Sequence, residues 1–407
     1  MARDYPIISA DSHLQVASEH WTGHVPPQYR DLAPRTVRVR EKQDGTVMGD
    51  SKPQIFHGGF TGMPYEKRSP VEGLFESTPG GGSPEQRLRE QDMDGVDGEI
   101  MYTFFGGADT YKAVKDKNEA AYKAVLHAWN EFLGEEYCRV APDRLMGMGL
   151  IPDTGVDDGI AEMEYCARKG LKGVCLTRYP SGKEFPTPED DRFWAAALDM
   201  NMPLTAHMGF AGSLYGRPPF PLPADIHEVA GGVDPYSRFI RYGVRGAGNA
   251  VQMIFDGLFD RFPKLRFYFA ETMAGWLPEF FEDLDDQYQR HIPWASKILD
   301  VRTLDRLPSE YVREHFWWGV LRSPVAVRLR HEIGLGHMMW GNDFPHVESD
   351  WPESNNVLTE MFDGVPEEDR RQMISGNVIE YFHLDPAATL AQKGTAAASR
   401  VDSLRLS

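Results

Sequence analysis

Short apolar runs recur along the chain, separated by stretches whose apolar residues return every three or four positions. The runs are IISADSHLQV (7–16), GEIMYTFF (98–105), RLMGMGLIP (144–152), GVCLTRYP (173–180), MPLTAHMG (202–209), KLRFYFAET (264–272), HFWWGVL (315–321) and HMMWGNDFP (337–345). Each is strand length and lacks a clean polar alternation, which predicts strands buried on both faces. Helical periodicity is predicted near 85–94, 112–139, 157–169, 190–200, 236–262, 276–298, 324–333 and 366–382. Residues 40–84 are rich in Gly, Pro and polar side chains, and STPGGGSP (77–84) is a strong loop signal.

Eight buried strands alternating with helices predict an α/β fold, a distorted (β/α)8 TIM barrel, with an insertion after the first strand. A doubly wound sheet is the rival, but its usual glycine-rich first turn is missing. The expected organisation is one domain over 1–385, with 40–84 as a lid or cap, and a loose Ala/Ser/Lys-rich tail over 386–407.

In a barrel, catalytic groups sit where strands end at the C-terminal face. The first strand carries Asp11 and His13, two residues apart and therefore on one side of the strand. The fifth ends in His207, the sixth in Glu271 and the eighth in Asp343. Taken singly, each reads as an ordinary hydrogen-bonded side chain. Together they form two imidazoles and several carboxylates aimed at one mouth, a nitrogen/oxygen donor set suited to zinc, iron, manganese or cobalt. A divalent ion also explains Asp11, whose charge is costly in a barrel mouth unless paired.

Composition narrows the partners more than the chemistry. With 43 basic and 61 acidic residues the formal charge is −18, which disfavours nucleic acid and anionic membranes. Cys138, Cys166 and Cys175 have no CxxC spacing, so neither a disulfide framework nor a thiolate zinc site is expected, and a cytoplasmic location fits. The first strand starts too near Met1 for a signal peptide, and no 18-residue apolar run is present.

The segments ADSHLQ, AHMG, FAET..GWLP and WGNDFPH resemble those of the amidohydrolase superfamily, in the branch of the aminocarboxymuconate semialdehyde decarboxylase-like enzymes, over roughly 5–385. That resemblance implies metal ligation by Asp11, His13, His207 and Asp343, with Asp343 also acting as general base toward metal-bound water. Three departures stand out. Asp11 replaces the first His of the usual His-x-His, Glu271 replaces the common strand-six His, and Arg178 stands where some members carry a bridging Lys. More oxygen donors make iron or manganese competitors of zinc. Glu271 is expected as a ligand or acid/base, with a second ion shared with His291 or His227 if the site is dinuclear. His346 is expected to orient Asp343 or touch substrate.

Aromatic and glycine-rich loops, and GFAGSLYGRPPFPLP in particular, suggest an apolar, cyclic or aromatic organic substrate contacted by His57, Phe105, Tyr179 and Trp276. The expected reaction is metal-dependent hydrolysis of a C–N, ester or thioester bond. Hydrolysis ranks first because Glu271 departs from the decarboxylase pattern. Non-oxidative decarboxylation of an aromatic or unsaturated acid is the alternative. Oxygen chemistry at a di-iron or Mn/Fe site ranks third, and a non-catalytic scaffold or homodimer subunit fits least well as a complete function. A homodimer remains compatible with any of the three chemistries.

Overall fold

All eight apolar runs become strands of one sheet in the computed structural model, which describes residues 4–49, 51–56, 61–64, 67, 72–103, 111–210 and 245–393. In chain order the strands are β1 (Ile8–Leu14), β2 (Arg35–Arg40), β3 (Gln43–Val47), β4 (Gln54–Ile55), β5 (Gly98–Thr103), β6 (Leu145–Leu150), β7 (Gly173–Cys175), β8 (Leu204–His207), β9 (Phe267–Ala270), β10 (Phe316–Val320) and β11 (Met338–Trp340). The large sheet runs β1-β5-β6-β7-β8-β9-β10-β11, every ladder parallel, and curls into a nearly closed α/β barrel of the (β/α)8 TIM type. Its eight strands are buried along their whole length, which is why they read as continuous apolar runs.

Two apolar layers result. Outward residues such as Met101, Phe267, Phe269 and Trp318 pack under the helices. Inward residues, among them Ile8, Ala10, Ile100, Met146, Met148, Tyr268 and Met339, fill the lumen. Val378, Tyr381 and Phe382 plug one end. That end is the N-terminal one, because the Tyr381 hydroxyl donates to the carbonyl of Leu204, where β8 begins. Polar side chains are therefore left to the opposite mouth.

The insertion departs from expectation. Within 35–55 it forms a three-stranded antiparallel sheet, β2-β3-β4, and not a plain loop. The STPGGGSP stretch ends where Ser83 caps the helix Pro84–Asp94: its side chain accepts from the Gln86 N–H, and Pro84 occupies the first turn. Helices Pro308–His315 and Ser354–Met361 were not predicted; each is only eight residues long and starts without a side-chain N-cap bond. Residues 386–393, expected to be loose, are helical, and Gln392 and Lys393 bond to Asp143 and Asp97. No described helix is long and apolar enough to cross a membrane.

Closure of the barrel is unusual where β1 meets β11. Among the described residues no ladder joins them. Instead the Asp343 N–H donates to the Asp11 carbonyl at 2.8 Å, and the His13 N–H donates to the Phe344 carbonyl at 2.7 Å. Arg87, 1% exposed, spans the same seam, donating to Glu99 Oε2 at 2.7 Å and to the carbonyls of His13 and Phe344 at 3.1 Å. Gly341 permits the approach, since a Cβ there would lie 2.5 Å from Asp11 Cβ.

Removing Arg87 leaves Glu99 buried without its cation. Arg87→Met is therefore expected to lower unfolding free energy by about 3–5 kcal/mol in urea titration. A change below about 1 kcal/mol would show that the seam does not depend on this pair.

Candidate metal centre

The C-terminal mouth gathers the residues that the strand ends supply. In β1 the register against β5 shifts between Ser9 and Ser12, so Ala10 and Asp11 together face Ile100. This bulge lets Ala10 fill the lumen beneath while Asp11 and His13, one step out of the earlier alternation, face the mouth. His207 ends β8. Beyond the strand ends, Met208, Glu271 and Asp343 take positive φ of 60°, 55° and 51°. Such conformations cost of order 1–3 kcal/mol each and concentrate at functional sites.

Asp11, His13, His207 and Asp343 converge: one ligand atom from each lies within 4.8 Å of the others, and all four residues are buried. His13 Nε2 stands 3.3 Å from Asp343 Oδ1 and 3.7 Å from Asp11 Oδ1. His207 Nε2 is 3.3 Å from Asp11 Oδ1 and 3.5 Å from Glu271 Oε2. Both Asp11 oxygens, both Nε2 atoms and Asp343 Oδ1 are buried without a hydrogen bond. Buried polar atoms are ordinarily satisfied, so unbonded donors on four converging residues fit a cation. His13 Nδ1 lies 2.9 Å from the Thr103 carbonyl, which must accept its proton, leaving the Nε2 lone pair toward the group. No cysteine belongs to the four-residue group among the described residues. Burial pushes the Cys175 thiol, which faces the same lumen, up to about 12.

Burial pulls the His13 pKa down, but Asp343 and Asp11 outweigh it and hold it above its ordinary value. Burial pushes Asp343 up, yet His346 and His13 keep its carboxyl well below the usual carboxylate range. His346 stacks on His13 with ring centroids 3.7 Å apart, and its Nδ1 lies 3.3 Å from Asp343 Oδ1.

Several expected site residues are placed elsewhere. His291 is exposed on the helix Leu277–Ile298, bonded to Gln287 Oε1 and the Trp294 indole, and lies outside the four-residue group. Glu271, 6% exposed, stands beside His207 and outside the compact four-donor group. Tyr179 is buried between barrel and helices, its hydroxyl donating to Gln252 Oε1 at 3.0 Å. Trp276 packs in that same layer on Trp318 and donates its indole N–H to the Thr272 carbonyl. His57, Phe105 and His227 lie outside the described residues. A cavity of about 700 Å³ lined by Leu204, Arg266, His315 and Tyr381 lies at the opposite end of the barrel.

Sequence reasoning missed the polar residues behind the donors, namely Ser9, Ser12, Asn342 and Asp94, and the Arg87–Glu99 pair. The only signals were hydroxyls within an otherwise apolar strand and an amide next to Asp343.

Comparison with known proteins places the chain in a family. A family model described as amidohydrolase matches residues 21–384. Gamma-resorcylate decarboxylase from Polaromonas sp. (strain JS666) is 22% identical over 323 residues, covering 74% of this chain and 87% of that protein. Among solved structures, an amidohydrolase from Mycobacterium avium subsp. paratuberculosis K-10 superposes with TM-score 0.71 at 19% identity, covering 94% of this chain and 100% of the other. The 5-carboxyvanillate decarboxylase of Novosphingobium aromaticivorans DSM 12444, crystallised with manganese and 4-hydroxy-3-methoxy-5-nitrobenzoic acid, gives TM-score 0.62 at 16% identity, covering 94% and 97%.

A buried carboxylate with no donor weakens the metal-free fold. Asp11→Asn is expected to raise the melting temperature of metal-free protein in alkaline buffer, by the equivalent of about 1–3 kcal/mol, and to abolish the further rise that Mn²⁺ gives the wild type. Thermal unfolding with and without Mn²⁺ checks both halves. An unchanged metal response in the variant would remove Asp11 from the site.

Proposed function

Because the chain belongs to the amidohydrolase family, we propose that it is a metal-dependent, non-oxidative decarboxylase of an aromatic acid bearing a hydroxyl beside its carboxylate. The observation that carries the metal dependence is the set of buried, unbonded donor atoms on Asp11, His13, His207 and Asp343. The choice of decarboxylation over hydrolysis, which Glu271 had ranked first, is supported by the activity of the relative matched over 74% of this chain. Manganese is the proposed ion, since two carboxylates and two imidazoles suit it and a structural neighbour holds it; zinc is the competitor.

A divalent cation held by these four residues supplies positive charge for the substrate carboxylate and the adjacent phenol oxygen. The chain's own groups then account for the proton. Asp343, held ionised between two imidazoles, accepts the phenol proton as the substrate binds. It returns that proton to the ring carbon carrying the carboxylate. The carbon–carbon bond then breaks, its electron pair returns to the ring, and CO₂ departs. The product phenolate recovers a proton from solvent, so the net change is uptake of one proton and release of CO₂. His346, touching Asp343 and stacked on His13, orients the carboxylate between these roles. Glu271, whose Oε2 stands 3.5 Å from His207 Nε2, serves as an acid/base group beside the four donors.

Hydrolysis is the second reading, favoured by the same ionised Asp343, which suits a general base toward water. A panel of hydroxybenzoates, aryl esters and amides separates the two. The expected result is CO₂ release equal to acid consumed, lost after chelation and restored by Mn²⁺. Ester or amide cleavage with no CO₂ from any acid would overturn the decarboxylase reading. Asp343→Asn should lower turnover by roughly 10²–10⁴-fold. Glu271→Gln should retain its metal content by elemental analysis while turnover falls; loss of metal would instead make Glu271 a ligand.

A further inference from the structure

The donors on β1 and the donor after β11 belong to strands that no ladder joins among the described residues. Two backbone bonds and Arg87 span the gap, and a buried polar cluster behind β1 adds side-chain links between the two sides. Ser9, Ser12 and Asn342 fill the bulge from behind, all at most 5% exposed. The Ser9 hydroxyl donates to the Asp11 carbonyl at 2.8 Å and accepts from the Asn342 N–H at 3.0 Å. The Ser12 hydroxyl donates to Asn342 Oδ1 at 2.9 Å. Asn342 Nδ2 in turn donates to Asp94 Oδ2 at 3.2 Å. Asp94, at the end of the helix Pro84–Asp94, is fixed by the Ser354 N–H at 2.8 Å and hydroxyl at 2.7 Å.

We propose that Asn342, bridging Ser12 to Asp94, is a positioning residue that sets the distance between the β1 donors Asp11 and His13 and the β11-side donor Asp343. The inference rests on the metal-site reading given above. Asn342 holds both sides at once. Its own backbone leads directly into Asp343, and its side chain grips the bulged turn that aims Asp11 and His13. An amide suits this place because it accepts from a serine on one side and donates to a carboxylate on the other. Supporting groups of this kind change metal affinity by 10–100-fold in other proteins, without touching the ion.

A generic loss of stability would also weaken binding, so the test needs a matched control. Asn130 is such a residue. It is equally buried, bonds the N–H and carbonyl of Leu150 at the end of β6 and reaches Glu162, but supplies nothing to the four donors. Apo forms of wild type, Asn342→Ala, Ser12→Ala and Asn130→Ala are titrated with Mn²⁺ against a chelating dye, alongside thermal unfolding. Asn342→Ala and Ser12→Ala are expected to bind Mn²⁺ roughly 10–100-fold more weakly. Asn130→Ala should melt lower yet keep its affinity within about twofold, the experimental spread of a measurement well below tenfold. If Asn342→Ala does not fold, Ser12→Ala decides, because it removes one hydroxyl and little volume. Wild-type affinity in both Asn342→Ala and Ser12→Ala, or equal loss in Asn130→Ala, overturns the positioning role alone. A wild type that binds no divalent ion overturns the metal-site reading and this inference with it.

Discussion

The side chain of Asp11 is the constraint on which the site turns. It is fully buried at the mouth of the barrel, and neither carboxylate oxygen receives a hydrogen bond. An ionised group in that position costs several kcal/mol unless a counter-charge stands beside it. Two imidazoles approach it, yet the Nε2 atoms of both are themselves unbonded and point inward. The same pocket holds Asp343, already kept ionised. A polypeptide that gathers two carboxylates and two imidazole lone pairs around one point is short of positive charge, and a divalent ion supplies it.

The backbone is shaped to sustain this arrangement. A regular β1 would continue the alternation of Ile8 and Ala10 and turn Asp11 and His13 away; the bulge reverses that. Left-handed residues at Glu271 and Asp343 turn the chain where strands end. Strain of this kind persists only where the surroundings over-determine it. Here the surroundings are a seam held by Arg87, by two backbone bonds and by a serine–amide–carboxylate chain, where no ladder joins β1 to β11 among the described residues. Structural weakness and chemical function thus coincide at the junction of the first and last barrel strands, and buried polar groups serve both.

Much of this was legible in the residues. The eight strands appeared as apolar runs because burial on both faces removes any need for polar alternation, and His207 and Asp343 stood out as polar residues closing such runs. The Asp11/His13 spacing correctly put both on one side of β1, although the bulge that turns that side inward left no mark in the pattern. His291 misled because periodicity gives a helix but not the distance from that helix to a strand end. Tyr179 and Trp276 misled because an aromatic residue just past a strand can pack outward under the helices as readily as inward over the mouth. The three-stranded sheet of 35–55 was hidden by glycine and polar residues, since its outer strand is half exposed and carries Arg35, Arg38 and Arg40. The order of reactions was set by one substitution, Glu271, and was reversed by likeness to a decarboxylase along most of the chain.

Anomalous X-ray diffraction at the manganese edge, on crystals of protein reconstituted with Mn²⁺, tests the central claim most directly. The account predicts a strong peak within bonding distance of Asp11, His13, His207 and Asp343. A fully loaded, active protein whose anomalous peaks all lie away from these four side chains would contradict it.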